Sequence, residues 1–87
     1  MDADLVNRAR QNDREAFAQL VDRHQRLVVG VALSITRDRA LAEDIAQEAF
    51  VAAWKSLAKL DDPARVAPWL AGISRNLANN AVRKQTR

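Results

Sequence analysis

The chain has 87 residues, which is enough for one hydrophobic core and too few for two, so we expect a single domain. It carries 14 Lys and Arg against 11 Asp and Glu, and a net charge of +3 does not by itself identify a nucleic-acid binder. The absence of cysteine excludes a disulfide framework, a thiolate nucleophile and a cysteine-based zinc site.

The charges and the apolar residues are unevenly distributed. Residues 38–62 contain six acidic and three basic side chains, whereas residues 63–87 contain five basic and no acidic ones. The longest apolar run, LVVGVAL at 27–33, is far shorter than the roughly 20 residues that a transmembrane helix needs. The start, MDADLVNRAR, has acids where a signal peptide needs a basic tip and an apolar run. We therefore expect a soluble, cytoplasmic protein with no membrane insertion.

The first half of the chain reads as two helices. Many alanines, with only two Gly and two Pro, favour helix over sheet. Leu5 and Ala9, four residues apart, predict a short helix over 3–10. Apolar residues recur at threes and fours from Phe17 to Ile35 and predict a long second helix over 13–36. Asn12 and Glu15 have capping-box spacing at its start.

The second half predicts two more helices. Asp38 can cap a third helix over 39–58. Its predicted buried side comprises Leu41, Ala42, Ile45, Ala49, Ala53 and Leu57. Asp62-Pro63 indicates a cap in a loop at about 60–67, followed by a fourth helix over 68–83. That helix is predicted to bury Trp69, Leu70, Ile73, Leu77 and Ala81. The expected fold class is all-α, a compact bundle of about four helices with no sheet.

One side of the third helix carries a polar row. At 100° per residue, Asp44, Gln47, Glu48, Val51 and Lys55 lie opposite the apolar side, and we call them the third-helix stripe. A charged outer face is usually only a solvated surface. Val51 within the stripe and Trp54 at its margin are more typical of a surface that contacts a partner. That partner would have to be basic.

The fourth helix carries a row without acids. Gly72, Arg75, Asn76, Asn79 and Arg83 share one side, which we call the fourth-helix stripe. Trp69, Ile73 and Leu77 are predicted to face the other way. Arg donates to phosphate oxygens and Asn can pair with base edges, so the stripe favours nucleic acid, and Arg65 and Lys84 widen the positive zone. The same residue types near a helix C-terminus can equally satisfy its last carbonyls.

The chain offers no pattern typical of an enzyme. His24 is the only histidine, so it cannot complete a zinc or catalytic set, and we expect it on a helix surface. Asp61 and Asp62 precede a proline and indicate a turn and a cap before they suggest an acid/base pair. A glycine-rich phosphate loop, a nucleophile elbow and an HExxH motif are all absent from the sequence. We expect no catalytic residues, no metal and no cofactor.

Three strings together carry a family resemblance: AFAQLVDRHQ (16–25), AEDIAQEAFVAAW (42–54) and PWLAGISRN (68–76). In this order and spacing they resemble the region 2 domain of bacterial sigma factors of the extracytoplasmic-function type. The resemblance covers almost the whole chain. It implies an all-helical domain that docks on RNA polymerase core and recognises and opens promoter DNA.

The resemblance also implies a role for each stripe. The family's D-x-x-Q-E pattern falls on Asp44, Gln47 and Glu48, which would bind the clamp helices of the polymerase β′ subunit, with Val51 and Lys55 beside them. The loop at 60–67 and the fourth helix would read the −10 element and capture a flipped base of the non-template strand, with Asn76 nearest that base. The expected DNA-contacting residues are Arg65, Val66, Arg75, Asn76, Asn79, Asn80, Arg83 and Lys84.

The sequence departs from the family pattern in two places. Val66 stands where the family usually carries an aromatic, and Ala71-Gly72 replaces a common Tyr-Arg pair, so no base preference can be carried over. These departures leave a rival interpretation, a helical interaction module that binds a regulatory protein such as an anti-sigma factor and does not read DNA. A basic helix lying on a membrane is disfavoured because Trp69 and Leu70 are expected in the core.

The end of the chain carries a separate expectation. Full factors of this type continue into a second helical domain, region 4, that binds the −35 element. This chain ends in VRKQTR, as a linker would begin. We therefore expect an excised domain or a truncated protein.

Overall fold

A computed structural model describes residues 1–85, which form four α-helices and two short 3₁₀ turns and contain no strand. The helices are α1 (Asp2–Ala9), α2 (Arg14–Thr36), α3 (Arg39–Lys55) and α4 (Val66–Gln85). The 3₁₀ turns, Leu57–Lys59 and Pro63–Arg65, lie between α3 and α4. The predicted all-α bundle is confirmed; the last two residues of the linker-like VRKQTR lie outside the described part of the chain.

The start of α2 differs from the predicted cap by one residue. Asp13, not Asn12, is the N-cap, and its carboxylate accepts a hydrogen bond from the Ala16 amide at 3.1 Å. That hydrogen bond holds the pKa of Asp13 below its ordinary value, and an ion pair with Arg8 at 3.1 Å acts in the same direction. Asn12 instead takes a left-handed backbone conformation, φ 67°, which Asn tolerates better than most residues. Both residues are good caps in sequence, so the pattern could not choose between them.

The connection between α3 and α4 also differs from the prediction. The α3 helix ends at Lys55 rather than near residue 58. At this end the Ser56 hydroxyl donates to the Ala52 carbonyl and competes with the backbone hydrogen bonds of the helix. The α4 helix begins at Val66, two residues before Pro68. Pro68 is then the third residue of the helix, where a backbone amide has no helical acceptor, so its missing N–H costs nothing.

The core is built around α2, which contacts all three other helices. Its main cluster joins Leu5 and Val6 of α1 to Leu20 and Val28 of α2, to the 57–60 connection and to the first turns of α4. A smaller cluster at the other end consists of Ala32, Ala42, Ile45 and Ala78. The fully buried Ser74 hydroxyl donates to the Val28 carbonyl at 2.7 Å and ties α4 to α2.

His24 is not on the helix surface as predicted. It is only 9% exposed, and its Nε2 lies 3.0 Å from the Asp2 carboxylate, which also accepts from Arg23 Nε at 2.7 Å. Burial acts to raise the pKa of Asp2, but the Arg23 hydrogen bond and the charges of His24 and Arg23 lower it below its ordinary value. These contacts hold the start of α1 against α2. They join residues 21 and 22 positions apart, which helical periodicity cannot reveal.

The length and the apolar character of a helix decide whether it can span a membrane. Within the described residues, none of the helices combines the length and the apolar character that crossing a bilayer requires.

Candidate functional site

The third-helix stripe is exposed along its whole length on α3. Its five side chains border a shallow groove of about 600 Å³, whose remaining walls are Ala52 and, from α4, Leu77. Among residues 1–85, Asp44, Gln47 and Glu48 have no side-chain hydrogen bond or ion pair. Their oxygens are therefore available to donors on another molecule.

A second, apolar groove adjoins the stripe at Val51, which is 54% exposed and borders both. This groove, about 340 Å³, is otherwise lined by Arg14, Phe17, Phe50 and Trp54. The rings of Phe17 and Trp54 meet edge to face with centroids 5.0 Å apart, which fixes the aromatic wall. An apolar centre beside unpaired polar groups is the usual anatomy of a protein-binding surface.

The fourth-helix stripe is also exposed, apart from the half-buried Gly72. Arg75, Asn76 and Asn79 have no side-chain partner among the described residues. Arg83 donates to the Asn80 side-chain oxygen at 2.6 Å, which orients both groups at the exposed end of α4 beside Lys84. A Cβ added at Gly72 would meet nothing within 4 Å, so packing does not require glycine there.

A cleft of about 360 Å³ lies between the α3–α4 connection and the start of α4, and we call it the 59–69 cleft. Its walls are Lys59, Leu60, Asp61, Asp62, Arg65, Pro68 and Trp69. Asp62 accepts from the Ala64 amide at 3.0 Å and so caps the turn, as the sequence indicates. Asp61 is exposed and has no side-chain partner in the described chain. The cleft thus offers one free carboxylate, two cations and an indole.

Two expectations about this region need correction. Val66 is only 1% exposed and belongs to the main core, so its side chain cannot contact DNA. Trp69 does not face away from the fourth-helix stripe: it is half-buried and lines the cleft. On a helix it lies about 60° from Gly72 and about 20° from Asn76. The spacing of residues 69, 72 and 76 therefore indicates that Trp69 lies beside the fourth-helix stripe. The expectation of a core position rested on the usual burial of tryptophan.

Other residues of the site had no comparable signal. Leu77 was expected only in the core, yet it is half-buried and completes the groove of the third-helix stripe. Lys59 and Asp61 reach the cleft through the irregular backbone between the two 3₁₀ turns. Periodicity assigns faces only to regular elements, so it could not place them.

Comparison with known proteins identifies a family whose members are similar to this chain in sequence and in fold. The family model for Sigma-70 region 2 matches residues 20–87. A probable RNA polymerase sigma factor, RfaY, of Xanthomonas campestris pv. campestris is 50% identical over 70 residues, covering 80% of this chain and 18% of the relative. The ECF RNA polymerase sigma-E factor of Haemophilus influenzae is 35% identical over 88 residues, covering 99% of this chain and 45% of the relative. The chain thus spans less than half the length of these curated relatives.

A solved structure resembles the whole fold. An engineered region 2 of sigmaE, determined by NMR in complex with GTAAAA, superposes with a TM-score of 0.90 and 32% identity, covering 100% of this chain and 90% of that one. Sequence family, helix arrangement and overall extent therefore agree, and the chain belongs to the sigma-70 region 2 family, within the extracytoplasmic-function type.

Proposed function

We propose that this domain acts in transcription initiation: it binds RNA polymerase core through the third-helix stripe and recognises and opens the promoter −10 element with the 59–69 cleft and the fourth-helix stripe. The observation that carries the proposal is that two exposed surfaces of unlike chemistry lie on the neighbouring helices α3 and α4. One presents unpaired acids and amides beside an apolar groove; the other presents amides, guanidinium groups and an aromatic cleft. No reaction of its own is assigned to the chain.

The polymerase surface is argued from charge and from burial. Asp44 and Glu48 are exposed and unpaired among residues 1–85, so a basic partner has no internal ion pair to displace at either carboxylate. Val51 and the adjoining apolar groove supply the desolvated centre that most protein interfaces need. The expected occupant of this surface is the helical pair that forms the β′ clamp of RNA polymerase, with basic side chains opposite Asp44 and Glu48.

The promoter surface is argued from the chemistry of an unpaired base. Capturing a base from the stack costs a few kcal/mol, which a binding protein recovers through a pocket and through contacts to phosphates. Trp69 offers a face for stacking, and Asp61 can accept from an exocyclic amino group. Asn76 lies on the same side of α4 as Trp69 and reaches base edges, while Arg75 and Arg83 reach phosphates.

The division of work with polymerase follows from the net charge. A small domain with a net charge of +3 neutralises few phosphates, so we expect weak binding to DNA in isolation. Much of the free energy of duplex opening then comes from polymerase, and the domain supplies recognition of the opened strand. This role is carried out on DNA in the cell interior.

The polymerase part is tested by charge reversal. The double variant Asp44→Lys, Glu48→Lys should lower affinity for a β′ clamp-helix fragment by more than about tenfold, because attraction becomes repulsion. The matched control is Asp22→Lys, an exposed acid on α2 outside the stripe. Circular dichroism should show both variants folded. Unchanged affinity of the double variant, or an equal loss in the control, contradicts the assignment.

The promoter part is tested with the holoenzyme assembled from polymerase core and this chain. Retention of a labelled non-template promoter strand above the level of core alone supports promoter reading. A chain that binds the clamp-helix fragment, captures no strand and instead binds a regulatory protein such as an anti-sigma factor would be a protein-interaction module.

A further inference from the structure

We propose that Arg10 is a positioning residue for the 59–69 cleft: it holds the backbone that forms one wall of the cleft without touching DNA itself. The proposal rests on the promoter-reading role proposed above. It concerns a side chain on α1's C-terminal end, a part of the chain that lies outside both stripes.

The contacts of Arg10 bridge distant parts of the chain. Its Nε donates to the Leu57 carbonyl at 3.2 Å, and its Nη2 donates to the Leu60 carbonyl. These acceptors lie 47 and 50 residues further along, at the two ends of the turn that follows α3. One planar guanidinium therefore fixes the separation and the direction of two carbonyls.

The Leu60 carbonyl needs such a donor, whereas the Leu57 carbonyl also accepts from the Leu60 amide at 3.3 Å. The Leu57–Lys59 turn is too short to pair its own last carbonyls, and the chain leaves helical geometry at Leu60, where φ is −74° and ψ is 113°. Leu60 is only 6% exposed, so water cannot freely replace the missing partner. Arg10 supplies the donor that the turn lacks.

The segment held in this way is a wall of the cleft. Lys59, Leu60 and Asp61 follow one another along the backbone and all line it. Rotating the Leu60 peptide would redirect the side chains on both sides, including the free carboxylate of Asp61. The geometry of the cleft therefore depends on the two hydrogen bonds from Arg10.

The helix that carries Arg10 is itself fixed at both ends. Its first turn is held through Asp2 to Arg23 and His24. Leu5, Val6 and Ala9 are buried in the same cluster as Leu57, Leu60 and Val66, and α1 also contacts the Pro63–Arg65 turn. The α1 helix thus forms a rigid base beneath the cleft, and Arg10 is the polar link between them.

Three variants separate positioning from charge and from general stability. Arg10→Gln removes the guanidinium; Arg10→Lys keeps the charge but cannot bridge two carbonyls in a fixed plane. Arg8→Gln is the matched control, since Arg8 is an arginine on the same helix whose partners are Asp4 and Asp13, not the cleft backbone. All variants are made in the 87-residue chain and checked for folding by circular dichroism.

The first measurement needs no DNA. Amide hydrogen exchange over residues 57–65 and the chemical shift of the Trp69 indole N–H should change in Arg10→Gln and in Arg10→Lys, and stay at wild-type values in Arg8→Gln. No change in this segment for either Arg10 variant overturns the proposal. An equal change in Arg8→Gln overturns it too, because α1 stability alone would then explain the effect.

The second measurement uses single-stranded DNA. The hexamer that wild type binds most tightly, selected from a random hexamer library, is titrated into each variant. Both Arg10 variants should bind about tenfold more weakly, as expected when the competent conformation becomes a minor one. The slope of affinity against salt should stay unchanged, since every phosphate interaction is retained. Full rescue by lysine, or a shallower salt slope, makes Arg10 a direct phosphate contact and overturns positioning.

The two measurements also keep this proposal apart from the proposed function. If wild type captures no strand even in the holoenzyme, promoter reading fails, and the exchange measurement alone decides whether Arg10 orders the segment. If wild type captures the strand and the Arg10 variants capture it equally well, promoter reading stands and the positioning role is wrong.

Discussion

Replacing Arg37 by glycine should stabilise the domain. Arg37 ends α2 in the left-handed conformation, φ 56° and ψ 26°, with its amide bonded to the Leu33 carbonyl at 2.8 Å. A residue with a Cβ loses roughly 1–2 kcal/mol in that conformation, whereas glycine adopts it freely. Glycine also makes the unfolded chain more flexible, which offsets about 0.5–1 kcal/mol of the stability gained by relieving the strain.

The expected net gain in the free energy of unfolding from Arg37→Gly is therefore about 0.5–1 kcal/mol. The substitution removes no favourable contact, because the Arg37 side chain is exposed and makes no side-chain interaction among residues 1–85. For a domain of this size, about 1 kcal/mol raises the Tm by roughly 4–8 °C. Urea unfolding followed by far-UV circular dichroism should show a higher midpoint with an unchanged slope.

The control for this prediction is Arg37→Ala, which removes the charged side chain but keeps the Cβ and the strain. It should remain within about 0.5 kcal/mol of wild type, as surface substitutions usually do. If the glycine variant is no more stable than the alanine variant, the backbone at residue 37 stores no strain and the reasoning fails.

Three further outcomes are expected. Asn76→Ala should weaken binding of some −10 hexamers and spare others, and equal effects on every hexamer would argue against base reading at Asn76. Arg75→Ala should weaken binding of all hexamers alike. It should also flatten the slope of log affinity against log salt concentration by about 0.7 for each phosphate that is no longer neutralised. Asp2→Asn should destabilise the domain by about 1–2 kcal/mol at neutral pH, since Asp2 accepts two hydrogen bonds in a largely buried site. Because the pKa of Asp2 is lowered in the folded state, its carboxylate stabilises the fold above the ordinary pKa of 3.8, and this stabilisation is lost as the pH falls through the folded-state pKa. The free energies of unfolding of wild type and variant, measured by urea melts at several pH values, should therefore converge in acid. Parallel curves would contradict this. Ser74→Ala should cost about 1 kcal/mol by removing the buried hydrogen bond to Val28, and a variant as stable as wild type would show that the bond contributes nothing.

The sequence predicted the helices well where apolar spacing is regular. The rows from Phe17 to Ile35 and from Leu41 to Ala53 follow α2 and α3 closely, because burial of one helix face leaves a periodic trace. Boundaries were harder to predict wherever two adjacent residues could serve the same purpose. Asn12 and Asp13 are both able to cap, and the structure distinguishes them by the left-handed backbone of Asn12 and by the ion pair between Asp13 and Arg8.

The errors at the candidate site have a common physical cause. Trp69 and His24 were assigned by what their residue type usually does on a helix, and Val66 by the family resemblance of the loop at 60–67. Their actual surroundings depend on contacts between elements: Val66 packs into the core shared with α1, Trp69 faces the cleft wall, and His24 meets Asp2. The contacts of Val66 and His24 leave no periodic trace within a single helix, so only the folded chain reveals them, whereas the helical spacing already places Trp69 near Asn76.

Leu77 gives α4 a place in both surfaces. This side chain closes the groove beside the third-helix stripe, while Asn76 and Asn79 lie about 100° and about 160° from it around the same helix. A helix that borders two surfaces cannot tilt against one of them without also moving at the other. If the proposed partners bind these two surfaces, a protein that displaces Leu77 would therefore also displace the amides of Asn76 and Asn79.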